Sequence, residues 1–122
     1  MSAHTKILSG VFPVVATPFH EDGSPDVASL GGLVEWLVER RVDGVVFPGV
    51  ASEVDQLTAV ERNELVAVVG RRAEGRVAYV VGASAATASE AAGFARSGEA
   101  VGAAAAMIMA PAAFKGDAPA LT

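Results

Sequence analysis

The stretch Val42-Asp43-Gly44-Val45-Val46-Phe47-Pro48-Gly49-Val50-Ala51-Ser52-Glu53 decides the fold. Val45, Val46 and Phe47 form a short apolar run, the pattern of a strand buried on both faces. Pro48 has no N–H to give a ladder, so the strand should stop there. Gly49 permits a tight turn and leaves backbone open to a ligand. Val50, Ala51 and Ser52 follow, with successive N–H groups available to a small anion. Glu53 closes the turn, and Thr58-Ala59-Val60-Glu61 opens a helix shortly after. The unit is a strand, a loop of functional aspect and a helix.

The chain repeats this unit. Strands are expected to begin near Val11, Val45, Val77 and Ala104, at the roughly thirty-residue spacing of β-α units. The first, Val11 to Ala16, contains Pro13 and leads into Thr17-Pro18-Phe19. After the turn Asp22-Gly23-Ser24-Pro25, Asp26 is a suitable N-cap. Val27, Leu30, Leu33, Val34, Leu37 and Val38 then give an apolar stripe at helical spacing. Gly31 and Gly32 weaken that helix by about 1 kcal/mol each relative to alanine, and are expected to let it approach a sheet closely. Capping boxes at Thr58/Glu61 and Thr87/Glu90 start two further helices, and Gly75 fits the position after the first of these. The third strand, Arg76 to Val81, leads to Gly82-Ala83-Ser84, and the fourth, Ala104 to Met109, stops at Ala110-Pro111. Residues 1–8 and 112–122 read as irregular tails.

Four strands alternating with three helices and joined by short connections imply an α/β domain with a parallel sheet and right-handed crossovers. Two architectures fit: an open doubly wound sheet, or the first four strands of a partial (β/α)8 TIM barrel. A complete barrel takes about 250 residues, so 122 residues would hold about half of one. In either case Thr17, Gly49, Gly82 and Pro111 should gather at the C-terminal ends of the strands, where such folds build their sites.

Composition narrows the function. The chain is 52% hydrophobic with net charge −5, and its mean hydropathy is +0.42. That apolar content suits parallel strands covered by helices. The Arg40/Arg41 and Arg71/Arg72 pairs fall at expected helix ends, where they complement the helix dipole, so no nucleic-acid partner is indicated. Without cysteine there is neither a disulfide framework nor a thiolate metal site. No apolar leader or bilayer-length run is evident, so the expected setting is cytoplasmic, with no membrane partner. His4 and His20 stand apart from any carboxylate cluster, so no metal is expected. Neither a G-x-G-x-x-G nor a Walker A pattern occurs, and no cofactor is expected. Ser52 and Ser84 follow strands, but no histidine base is placed for either. Glu53 is open to two readings: a general base, or a carboxylate that accepts backbone N–H groups and supports its loop. Lys6 and Lys115 are the only lysines, and both are expected to be exposed.

Gly10-Val11-Phe12-Pro13-Val14-Val15-Ala16-Thr17-Pro18-Phe19 resembles the opening strand of the dihydrodipicolinate synthase / N-acetylneuraminate lyase family. The Glu21-Asp22-Gly23 turn with Asp26 does so too, and Gly44 to Glu53 resembles the family's second strand and its Gly-Thr-Thr-Gly-Glu loop. Leu57-Thr58, Glu61-Arg62, Val81-Gly82 and Met107 to Pro111 follow in the family's order. The resemblance implies the N-terminal portion of a (β/α)8 lyase or aldolase that acts on pyruvate or another 2-oxo acid through a lysine Schiff base, as a homo-oligomer. It implies a substrate-binding loop at Gly49, Val50, Ala51 and Ser52, with Thr17 and Glu53 in support.

The departures are specific. Val50 and Ala51 stand where the family has two threonines, keeping the N–H groups and losing both hydroxyls. Ser52 replaces a glycine and offers one hydroxyl back. Pro111-Ala112-Ala113-Phe114 stands where Pro-Tyr-Tyr is common. The family's acid/base tyrosine and Schiff-base lysine belong to its fifth and sixth strands, past Thr122, so no catalytic residue is assigned here. The expectation is that these 122 residues alone do not carry out the chemistry. The rival reading is a non-catalytic half-barrel that serves as an oligomerisation or interaction module.

Overall fold

The computed structural model describes residues 8–109. Helix α1 (Val27–Glu39) precedes strand β1 (Gly44–Phe47). Two 3-10 turns, Val50–Ser52 and Val54–Gln56, lead into α2 (Ala59–Ala73). Then come β2 (Ala78–Gly82), α3 (Ala88–Glu99) and β3 (Ala105–Met107). The sheet is parallel in the order β1-β2-β3, with Phe47 beside Val81 and Gly82 beside Met107. This is the expected α/β repeat, with each connection carrying a helix.

The expected first strand is reduced. Val11 to Ala16 lies parallel to β1 but forms a single bridge, Val14 to Val46. The Val15 N–H donates to the Val46 carbonyl and the Val46 N–H to the Pro13 carbonyl, each at 2.9 Å. Pro13 has no N–H of its own, which interrupts a regular ladder. The fourth expected strand shortens to Ala105–Met107, and Pro111 lies outside the described residues.

Local signals set the helix starts. Asp26 accepts from the Ser29 N–H at 3.0 Å. Thr58 and Glu61 make the full reciprocal capping box, at 3.1 and 2.9 Å. At α3 only half of the box forms. Thr87 accepts from the Glu90 N–H, but its hydroxyl donates to the Glu90 carboxylate, which therefore does not reach the Thr87 N–H. Gly75 has φ +73°, the left-handed conformation that ends α2.

The core lies between the sheet and the helices. Val45, Phe47, Tyr79 and Val81 point to one face and pack with Leu30, Val34, Leu65, Val66 and Val69. The Tyr79 hydroxyl donates to the Phe47 carbonyl at 2.9 Å, and burial raises its pKa well above the ordinary phenol range. Gly31 does not bring α1 onto the sheet. It meets the Arg72 guanidinium of α2, whose nearest atom would be 3.0 Å from a Cβ there, and Gly32 faces open space. α1 thus docks on α2, and the chelate of Glu35 by Arg76, at 2.6 and 2.9 Å, ties it to the start of β2. The opposite sheet face is partly open: Val46 is covered, while Val14 and Met107 remain partly exposed.

Candidate functional site

β1 stops at Phe47, and the Phe47–Pro48 peptide is cis. Gly49 is extended (φ −137°, ψ −170°), and the chain then turns through Val50–Ser52. Glu53 takes a left-handed conformation (φ 57°) between the two 3-10 turns. Its carboxylate is exposed and its contribution to the loop runs through the backbone. The Glu53 N–H donates to the Val50 carbonyl at 3.0 Å, and the Glu53 carbonyl accepts from Gln56 at 2.9 Å.

The loop presents two different faces. Val50 is 80% exposed and Ala51 is exposed, whereas Ser52 is fully buried. Ser52 Oγ accepts from the Gly49 N–H at 3.0 Å and donates to the Val15 carbonyl. The N–H groups of Val50 and Ala51 have no acceptor among the described residues. Thr17 is buried two residues beyond Val15, and its Oγ1 has no hydrogen-bond partner among the described residues.

Parallel register carries the other strand ends to the same place. Gly82 sits against the Pro48 carbonyl, so closely that any Cβ on it would overlap that oxygen. The Ser84 hydroxyl accepts from the Met109 N–H at 2.7 Å, joining the end of β2 to the segment after β3. A cavity of about 850 Å³ opens over these ends, lined by Gly49, Val50, Gly82, Ser84 and Met107, with Arg62 at one side. Thr17, Gly49 and Gly82 thus share one end of the sheet, as parallel β-α units require.

The sequence reading quoted Arg62 only within the Glu61-Arg62 block and gave it no role. It is 8% exposed, its Nη2 donates to the Gly82 carbonyl at 3.0 Å, and its guanidinium lies 3.7 Å over the Phe94 ring. Its Nε is buried without a partner among the described residues. Burial lowers its pKa from the ordinary arginine value, while Tyr79 and Asp55 oppose the shift. The available signal was periodicity: Arg62 precedes Leu65, Val66 and Val69 on one helical stripe. Asp55 and Arg62 are the charged residues of the cavity lining. His20 stays exposed, 3.8 Å from Asp26. Among the described residues no three His, Cys, Asp or Glu side chains are grouped to hold a metal, and no helix is long and apolar enough to cross a membrane.

The loop thus follows a short parallel strand, and Gly49 and Val50 line the cavity at the strand ends. A model of the Dihydrodipicolinate synthetase family matches residues 7–121. The chain belongs to that family. The 4-hydroxy-tetrahydrodipicolinate synthase of Azoarcus sp. (strain BH72) is 33% identical over 105 residues, covering 86% of this chain and 36% of the relative. The crystal structure of dihydrodipicolinate synthase from Rhodopseudomonas palustris superposes with a TM-score of 0.81 at 30% identity, over 91% of this chain and 36% of that one. YagE, a prophage protein of this family from E. coli K12 solved in complex with pyruvate, superposes with a TM-score of 0.81 at 27% identity, over 87% and 36%. The chain therefore spans about a third of the length of these family members, and its fold is the corresponding part of a (β/α)8 barrel.

Proposed function

We propose that this chain supplies the carboxylate-binding part of a family lyase that acts on pyruvate or another 2-oxo acid through a Schiff base. The observation that carries this reading is the pair of N–H groups at Val50 and Ala51 without an acceptor among the described residues, with Val50 on the lining of the cavity at the strand ends. Two adjacent backbone donors suit the two oxygens of a carboxylate. Without threonine hydroxyls the cradle is built from backbone alone, so anchoring should be weaker than with side-chain donors added. The bound acid would present its 2-oxo carbon towards the centre of the barrel. There a neutral lysine amine condenses with the carbonyl and releases water. Arg62 sets a guanidinium beside the cavity, and Asp55 on the same lining offsets its charge, so the backbone donors carry the anion preference.

The test is a titration of the 122-residue chain with pyruvate, followed by the amide shifts of Val50 and Ala51. Saturable shifts with pyruvate and acetate, and none with glycerol, are expected. Equal response to all three would contradict the reading.

A homo-oligomer is part of the same proposal. The Val11 to Ala16 segment forms only one bridge at its edge, and Val14, Met107, Ile108 and Met109 are 38 to 65% exposed. Open edges with apolar surface beside them favour self-association. Sedimentation at micromolar concentration should show species larger than one chain. A sharp monomer boundary with cooperative melting would contradict it.

A further inference from the structure

We infer that Ser52 is a positioning residue: its hydroxyl holds Gly49 to the Val15 carbonyl and so fixes the direction of the Val50 and Ala51 N–H groups. The sequence reading placed Ser52 among the substrate-binding residues as a possible replacement hydroxyl. The geometry assigns the hydroxyl elsewhere. Its one proton goes to the Val15 carbonyl, one lone pair takes the Gly49 N–H, and the side chain has no exposed surface. A serine hydroxyl has one donor and two acceptor sites, so the proton needed to bind a carboxylate is already committed.

The contact joins parts of the chain that are 37 residues apart. Val15 is itself fixed to β1 through Val46. The Ser52 N–H returns to the Gly49 carbonyl at 3.0 Å, so Gly49 and Ser52 close the turn from both ends. Val50 and Ala51 are the residues held between them. Removing the hydroxyl leaves a buried N–H and a buried carbonyl without their shared partner, and buried backbone groups strongly favour being paired. The turn must then shift or admit water, and the Val50 and Ala51 N–H groups move with it.

The ligand arm of the test rests on the proposed function; the ligand-free arm does not. In the full chain, Ser52→Ala and Ser52→Gly are compared with Val69→Ala, a core truncation on α2. Without ligand, residue-resolved hydrogen exchange of Gly49 should be about tenfold faster in both Ser52 variants than in Val69→Ala at matched loss of melting temperature. The Val50 and Ala51 amide shifts should also move in the Ser52 variants alone. With pyruvate, both Ser52 variants should raise the apparent Kd about fivefold, the equivalent of one net hydrogen bond, while Val69→Ala leaves it unchanged. Gly49 exchange and Val50/Ala51 shifts equal to those of Val69→Ala would overturn the assignment, as would an unchanged Kd. If the unmodified chain gives no saturable pyruvate response, the proposed function fails, and Gly49 exchange still decides the role of Ser52.

Discussion

Gly82→Ala is expected to cost about 3 kcal/mol or more, shown by a large fall in the urea midpoint of the full chain. The cause is backbone packing. Gly82 ends β2 directly beside Pro48, and an added Cβ would overlap the Pro48 carbonyl oxygen. No side-chain rotation relieves that overlap, because the obstacle is main chain. Relief requires β2 to move away from β1, which breaks the Phe47 to Val81 pairing and pulls the Gly82 carbonyl from Arg62. A domain's whole stability is about 5–15 kcal/mol, so a loss of this size is a large share of it. Gly93→Ala provides the opposite sign. A Cβ at Gly93 on α3 meets nothing within 4 Å, so the change should stabilise by up to about 1 kcal/mol through helix propensity. Similar midpoints for the two variants would contradict the close approach of β1 and β2.

Much of this architecture was legible because its signals are local. Pro48 marked the end of β1, and Asp26, Thr58 and Thr87 marked the starts of the three helices, since caps act within one turn. Features set by distant contacts were less legible. The spacing around Val11 suggested a full strand, but Pro13 and an edge position leave a single bridge. Gly31 was expected to meet the sheet and meets Arg72, because α1 packs on α2 and spacing along one helix does not name its neighbour. At the site, the loop from Gly49 to Glu53 could be found by its place after the strand. That Ser52 faces inward could not, since its partner Val15 lies far back in the chain. Arg62 was quoted in the Glu61-Arg62 block, but its burial was not foreseen because arginine is seldom buried.

Under the proposed function, this chain would hold the acid-binding loop of a family lyase and the imine-forming amine would lie elsewhere in the barrel. Imine formation needs a neutral amine beside the bound keto acid. An unperturbed lysine has a pKa of about 10.4 and is almost wholly ammonium at neutral pH, so it must be desolvated or set beside another cation. Lys6 and Lys115 are the only lysines in the chain, and both lie outside the described residues. The deciding measurement is to incubate the 122-residue chain with pyruvate, reduce with borohydride and weigh the product. An unmodified mass is expected, although pyruvate shifts the Val50 and Ala51 amides. Stoichiometric trapping at Lys115 or Lys6 would contradict it and place the reacting amine on this chain.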